Sequence, residues 1–327
     1  VLQNLYWQDK REKQADSGHP YSMEQLTFEE NPYINITEYT QIAMLTMEVA
    51  ILKVLEAKGL KAEMAAGLSL GEYGALAAAG VMELPDLFRI IRMRGIYMQE
   101  AYPEGGAMAA ILGLDGDKEE NICGQTAKET GKVVSVANYN CPGQIVISGD
   151  AKAVELASDI AMARGARRVI KLNVSGPFHS SLLQQAGEHL RDELDRVRIA
   201  RPRIPVYSNV TACPPAVPAP RALRELLVRQ VASPVLWEQT MVNMARAGVN
   251  TFIEIGPGRT LTSLVKKTLP DATAVNVEDL SSLDALRDMV SRARALRAAA
   301  ASASASALAT TGIATAGAGA GAGGGGW

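Results

Sequence analysis

The stretch 65-AAGLSLGEYGALAAAG-80 decides how the rest of the chain is read. It passes from small apolar residues into the turn Gly67-Leu68-Ser69-Leu70-Gly71, and then into an alanine-rich run that favours helix. A G-x-S-x-G turn between a strand and a helix brings two backbones close and pushes the serine hydroxyl into the open. The spacing predicts a short strand at 62–66 and a helix at 71–80 on either side of it. Ser69 is therefore a candidate nucleophile, with the following helix aiming its N-terminus at developing negative charge. The alternative is an ordinary strand-to-helix turn in which the serine is a cap.

A nucleophilic serine needs a base, most often histidine. The chain has three histidines. His19 stands in a polar, irregular leader. His189 lies near the edge of the Leu182/Leu190/Leu194 stripe of a helix predicted at 181–197. His179, in the loop 175-SGPFHSS-181, is favoured, because loops on a rigid scaffold carry catalytic groups. It could instead be a helix-start histidine with a local hydrogen bond. On a helix predicted at 84–101, Leu87, Ile90, Ile91, Tyr97 and Met98 form one stripe, and Arg94 projects into its middle. A guanidinium on a buried face needs an anionic partner. Either a structural salt bridge or a substrate carboxylate held bidentately would serve, and both readings stand.

Outward from this centre, helical spacing predicts a helix at 38–58 ending at Gly59. From Gly106, strands at 106–113, 133–138, 144–149 and 167–172 alternate with helices at 116–130 and 151–164. That β-α-β-β-α-β order is the order of a ferredoxin-like unit, inserted into a larger α/β pattern. After it come a strand at 205–209, the proline-rich loop 213-CPPAVPAP-220, helices at 221–231 and 236–247, a strand at 250–255 and a helix at 259–268. Strands separated by helices predict a parallel sheet in the main body.

Composition narrows the function classes. The 327 residues are 47% hydrophobic and 21% charged, an ordinary balance for a soluble α/β protein. A formal net charge of -2 lacks the basic surplus of nucleic-acid readers. Cys123, Cys141 and Cys213 are odd in number and far apart, so neither a disulfide framework nor a metal knuckle is expected. No metal or cofactor motif is present. The segment 1-VLQNLYWQDKREK-13 lacks the apolar run of a secretory signal, and a reducing cytoplasm is the expected compartment. From about Ala298 the chain is an Ala/Gly/Ser low-complexity tail, expected to be disordered rather than to span a membrane.

Taken together, 67-GLSLGEY-73, 93-MRG-95, 138-NYNCPGQIVISG-149, 177-PFHS-180, 226-LLVRQVASPVLW-237 and 254-EIGPGRTLTSLVKK-267 resemble, in order, segments of the malonyl-CoA:acyl-carrier-protein transacylases. The likeness runs from about Thr37 to about Leu286. It implies an α/β-hydrolase-like body over 37–103 and 173–286, with a ferredoxin-like subdomain at 104–172. An atypical leader covers 1–36, and the low-complexity tail is placed at 287–327. It implies a ping-pong malonyl transfer in which Ser69 attacks malonyl-CoA, His179 is the base and Arg94 holds the malonyl carboxylate. The Leu70 N–H would be an oxyanion donor, and the Leu236 carbonyl would orient His179. Asn138, Asn140 and Phe178 would bind substrate, Phe178 resembling malonyl-selective members. The implied partners are malonyl-CoA and acyl carrier protein, with no nucleic acid and no membrane, for a monomeric enzyme. Arg167, Arg168, Lys171, Lys266 and Lys267 are candidates for meeting the acidic carrier protein. A serine acyl hydrolase, or an impaired fragment that only binds carrier protein or coenzyme A, is the alternative.

The chain also departs from the family pattern. Leu68 stands where the family places a histidine. The family opens with a strand and a G-Q-G-x-Q segment that supplies the second oxyanion N–H, and residues 1–36 hold no such segment. Losing one such donor typically costs about 10²–10³ in rate.

Overall fold

The computed structural model describes residue 34, residues 36–174 and residues 176–292. The leader therefore lies outside the described residues except for Ile34 and Ile36, as does the tail from 293 onward.

Helix α1 (Thr37–Ala57) opens the described chain and packs against α3 (Leu84–Ala101), with α2 (Gly71–Ala78) between them in sequence. The apolar faces of α1 and α3 meet through Ile42, Leu45 and Val49 on one side and Leu87, Ile90 and Ile91 on the other, all in one buried cluster. Gly95 permits the close approach. A Cβ there would lie 2.8 Å from Glu38 Cα and 3.1 Å from the Thr37 carbonyl oxygen, both backbone atoms. Arg92 ties the same two helices by an ion pair to Glu38 at 2.8 Å.

The segment after α3 is a four-stranded antiparallel sheet with two helices on one face. Strands β1 (Gly106–Leu112), β2 (Val134–Cys141), β3 (Gln144–Asp150) and β4 (Arg168–Lys171) stand in the order β2-β3-β1-β4. Helix α4 (Gly116–Thr130) joins β1 to β2, and α5 (Ala151–Ala163) joins β3 to β4. The period-two alternation of β1 is legible in its packing. Ala107, Ala109 and Ile111 face the two helices, whereas Met108 and Ala110 face Leu172 and Phe178 on the opposite side. The predicted helix at 116–130 and the strand boundaries here match the structure to within a few residues.

The remaining chain returns as a short 3-10 turn Ser181–Leu183 and α6 (Gln184–Asp195), then α7 (Pro220–Gln230) and α8 (Trp237–Arg246). Strand β5 (Thr251–Ile255), α9 (Thr260–Thr268) and β6 (Thr273–Val277) follow, with β5 and β6 forming a two-stranded sheet. Strand β6 had no counterpart among the predicted elements. The predicted strands at 62–66 and 205–209 shrink to one parallel bridge between Ala65 and Val206. The Ala65 N–H bonds the Pro205 carbonyl at 2.9 Å and the Tyr207 N–H bonds the Ala65 carbonyl at 3.0 Å. Proline has no N–H to extend that ladder. Among the described residues the architecture is α/β with two subdomains, and the expected continuous parallel sheet of the body is not seen.

The sheet subdomain is joined to the helical body at Val235, whose N–H bonds Ala137 at 2.8 Å and whose carbonyl accepts from Tyr139 at 3.0 Å. Beyond β6, residues 280–292 are helical, so the expected tail boundary at 287 falls inside a helix. Asp279 starts that helix by accepting the Ser282 N–H at 2.7 Å. Among the described residues no helix is long and apolar enough to cross a membrane, and no cluster of His, Cys, Asp and Glu could hold a metal ion. The three cysteines are unpaired.

Candidate active site

Ser69 sits at the turn into α2 with φ 53°, a left-handed conformation that non-glycine residues rarely adopt. The turn is feasible because Gly67 has no side chain: a Cβ there would lie 1.9 Å from Gly71 backbone atoms. Asn209, at the end of the predicted 205–209 segment, clamps the turn from outside. Its Oδ1 accepts the Ser69 N–H at 2.6 Å and its Nδ2 donates to the Gly67 carbonyl at 2.7 Å. The hydroxyl is thereby held out from the turn, and strain of this kind is common at functional sites.

His179 meets it. Its Nε2 is 2.8 Å from Ser69 Oγ, and its Nδ1 is 3.0 Å from the Gln230 carbonyl oxygen. A carbonyl can only accept, so Nδ1 carries the proton and Nε2 is left to accept the serine proton. His179 is itself at φ 58° and is 3% exposed. Burial pushes its imidazole down to about 4, and the nearby Arg94 guanidinium pushes the same way. It is neutral at pH 7 and able to act as a base.

The carbonyl that orients His179 belongs to Gln230, which corrects the expectation of Leu236. Gln230 is the last residue of α7, where helix carbonyls have no intrahelical partner and the helix dipole is negative. The Leu236 carbonyl is instead consumed at the start of α8, accepting from the Thr240 N–H at 3.0 Å and the Thr240 hydroxyl at 2.8 Å.

Arg94 is 1% exposed. One terminal nitrogen donates to Ser69 Oγ at 3.1 Å and to Gln230 Oε1 at 3.0 Å, and the other donates to Gln41 Oε1. Its guanidinium carbon lies 5.6 Å from the centre of the Tyr73 ring. No carboxylate makes an ion pair with it among the described residues, and its Nε–H, also buried, has no acceptor. Among the described residues, the structural salt bridge that the sequence left open is therefore not formed. Burial lowers its affinity for a proton, but a guanidinium remains charged.

Glu72 lies beneath. It is 3% exposed, and its Oε2 accepts from Gln230 Nε2 at 2.8 Å and from the Asn209 N–H at 3.1 Å. Burial pushes its carboxyl up to about 7, against those hydrogen bonds and the Arg94 charge, which lower it.

The Leu70 N–H, one residue beyond Ser69, donates to no group among the described residues. Phe178 packs against both the helical core and the outer face of the four-stranded sheet. Asn138 and Asn140 are buried on β2, and Asn140 Oδ1 has no hydrogen-bond partner. No hydrogen bond joins either asparagine to Ser69, His179 or Arg94. Arg167, Arg168, Lys171, Lys266 and Lys267 are all exposed.

Sequence reasoning missed Gln41, Glu72, Asn209 and Gln230. Two had a signal: Gln41 interrupts the buried face of α1 that carries Ile42, Leu45 and Val49, and Glu72 is the only charge in 71-GEYGALAA-78. A buried polar residue inside an apolar face asks for a partner. Asn209 and Gln230 carried none, because their roles depend on chain reversals that no local pattern encodes.

The chain matches the model of the acyl transferase domain family over residues 10–314. It is 42% identical over 273 residues to the malonyl CoA-acyl carrier protein transacylase of Bacillus subtilis, spanning 83% of this chain and 85% of that one. The solved malonyl CoA-acyl carrier protein transacylase of Clostridium perfringens is 40% identical, with TM-score 0.78 over 84% of this chain and 85% of that one. A malonyl-transacylase solved in complex with a type II polyketide-synthase acyl-carrier protein is 42% identical, with TM-score 0.74 over 76% of this chain and 80% of that one.

Proposed function

The chain belongs to the acyl transferase domain family, alongside the bacterial malonyl CoA-acyl carrier protein transacylases, and from that premise we propose how its residues carry out malonyl transfer. The protein is an acyltransferase that moves a malonyl group from coenzyme A to the phosphopantetheine thiol of acyl carrier protein, through an ester on a serine.

Ser69 is the nucleophile. Its hydroxyl proton passes to His179 Nε2 as Oγ attacks the thioester carbonyl carbon. The Leu70 N–H, at the head of α2 and with no acceptor among the described residues, donates to the oxyanion that forms. The C–S bond then breaks, and the coenzyme A sulfur leaves with the proton from His179. In the second half, His179 takes the proton of the phosphopantetheine thiol, the sulfur attacks the ester, and Ser69 Oγ recovers its proton. Between the two halves the α7 C-terminal carbonyl of Gln230 does the work for which other serine enzymes use a carboxylate. It fixes the tautomer and favours the transient imidazolium.

Arg94 carries the substrate assignment. A buried guanidinium 3.1 Å from the serine oxygen, with no carboxylate partner and no Nε–H acceptor among the described residues, is suited to a substrate that brings its own carboxylate. Malonyl does; acetyl does not. A hydrolase of neutral acyl groups has no use for such a charge. Phe178 closes the site from the side of the sheet subdomain, and Asn138 and Asn140 are assigned to the substrate end of β2.

The architecture is read more finely as an α/β-hydrolase-like body, 37–103 and 173–286, carrying a ferredoxin-like subdomain at 104–172. The β2-β3-β1-β4 antiparallel order supports the second half of that description. The enzyme is taken as a cytoplasmic monomer, and the exposed basic residues of β4 and α9 as the face met by the acidic carrier protein.

The test is Arg94→Ala with paired substrates. Transfer of malonyl to carrier protein should fall by about 10–10²-fold, the loss of a charge-assisted bond. Acetyl transfer should be retained or rise. An unchanged malonyl-to-acetyl ratio in the folded variant would remove Arg94 from substrate recognition.

A further inference from the structure

Among the described residues no carboxylate touches the buried Arg94, yet a carboxylate lies one amide away. Gln230 Oε1 accepts from Arg94 at 3.0 Å, and Gln230 Nε2 donates to Glu72 Oε2 at 2.8 Å. The same Nε2 also donates to the Ser69 carbonyl at 2.9 Å. One side-chain amide therefore lies between a buried cation and a buried acid, and its two ends cannot be exchanged: turning it over would aim Nε2 at a guanidinium and Oε1 at two acceptors. The backbone carbonyl of that same residue orients His179.

Glu72 is fixed just as fully. Its Oε2 takes the Asn209 N–H as well, and the Asn209 side chain clamps the Ser69 turn through Ser69 N and the Gly67 carbonyl. Nucleophile turn, arginine and histidine carbonyl thus all connect to one carboxylate, each through Gln230 or Asn209. Two donors converge on Oε2, as they would on the ionised acid. Buried networks of this kind rigidify a site when every member is satisfied.

We propose that Glu72 is a positioning residue for the transfer reaction: through the Gln230 amide it supplies the buried counter-charge that holds Arg94, and the His179-orienting carbonyl, in register with Ser69. This deepens the malonyl-transfer reading and rests on it for the role of Arg94. Glu72 touches no reacting atom; it acts through Gln230 and Asn209.

The discriminating variant is Glu72→Gln, which keeps one oxygen to accept both hydrogen bonds, turns the other oxygen into an amide NH2 facing the Ser208 hydroxyl, and removes the charge. Malonyl transfer should lose at least about tenfold in kcat and more in kcat/KM, because Arg94, the malonyl contact, loses its register together with the His179-orienting carbonyl. A second readout needs no malonyl group. Phenylmethylsulfonyl fluoride sulfonylates an activated serine: Ser69 Oγ would bond to sulfur, fluoride would leave, and His179 would take the hydroxyl proton. The sulfonylation rate should fall by a similar factor in Glu72→Gln.

Gln230→Met removes the amide bridge and keeps the backbone carbonyl. It should reproduce the loss, and the double variant should be no slower than the worse single one, because the two residues act as one unit. Wild-type sulfonylation in folded Glu72→Gln or folded Gln230→Met would overturn the proposal, as would additive losses in the double variant. If Glu72→Gln fails to fold, Gln230→Met decides alone. A wild-type protein that is sulfonylated at Ser69 but takes no malonyl group would instead sink the transferase reading, and the sulfonylation comparison would still decide the role of Glu72.

Discussion

At His179, burial and a neighbouring guanidinium act in the same direction, and the result has two consequences for pH. The imidazole is pushed down to about 4, so it stays neutral and basic across the neutral range. Malonylation of Ser69 should therefore persist as pH falls through 6.5, the ordinary histidine value, and drop only as the pH nears about 4. The second consequence is for stability. Between pH 6.5 and about 4 the unfolded chain binds a proton at this position that the folded chain refuses. The contribution of His179 is thus fully present above 6.5 and lost as pH falls toward 4, to the extent of about 3 kcal/mol. Glu48, Glu72 and Glu119, each pushed up to about 7 by burial, run the other way: they favour folding below their unfolded value and lose that contribution as pH rises through about 7. Urea titrations of the wild type and of His179→Gln at several pH values separate the terms. The variant should lose less stability on acidification; equal losses would mean that His179 titrates normally.

The elements were legible where the chain's own periodicity sets them. Helix α3 falls at the predicted 84–101, because a continuous apolar stripe and Pro85 in the first turn fix its phase and its start. The four strands of the sheet subdomain were readable because they are short, are set off by helices and turns, and pair only with strands close by in the chain. The body was less so. At 62–66 and 205–209 the structure has one bridge where two strands were expected, since Pro205 cannot extend the pairing. The 3-10 turn before α6 shortened a helix expected to begin at 181. His179 and Arg94, singled out with Ser69 by motif and elimination, both lie within hydrogen-bond reach of it in the structure. The oriented carbonyl was misplaced by six residues, because only the three-dimensional end of α7 shows which carbonyl is free. One element also carries an unexplained liability. Glu119, on the inner face of α4, is wholly buried, and neither carboxylate oxygen has a partner among the described residues. Glu119→Met should stabilise the protein by about 1–3 kcal/mol, by removing an unsatisfied buried acid at similar volume. Thermal denaturation would read it as a higher midpoint; a lower one would mean that the acid has a partner in solution.

Across the molecule, the site is assembled from widely separated parts of the chain. Ser69 comes from the turn before α2, Arg94 from α3, His179 from the loop after the sheet subdomain and Gln230 from the end of α7. The sheet subdomain contributes none of these four side chains. It packs against the loop that carries His179, through Phe178 against Met108, Ala110, Ala137 and Val146. Phe178→Ala should therefore cost about 2–4 kcal/mol in stability and lower kcat as well, by loosening the backbone of His179. Unfolding and steady-state kinetics on the same sample would test the pair, and lost stability with an unchanged kcat would confine Phe178 to packing.

Malonyl transfer by this route requires that Ser69 carry the malonyl group from one thiol to the other. Incubating the purified protein with malonyl-CoA in the absence of carrier protein, and reading the intact mass and then the peptide map, tests this. One malonyl adduct is expected, located on Ser69, absent from Ser69→Ala and weak when acetyl-CoA replaces malonyl-CoA. A cooperatively folded protein that takes up no malonyl group, or takes it up at another residue, would contradict it.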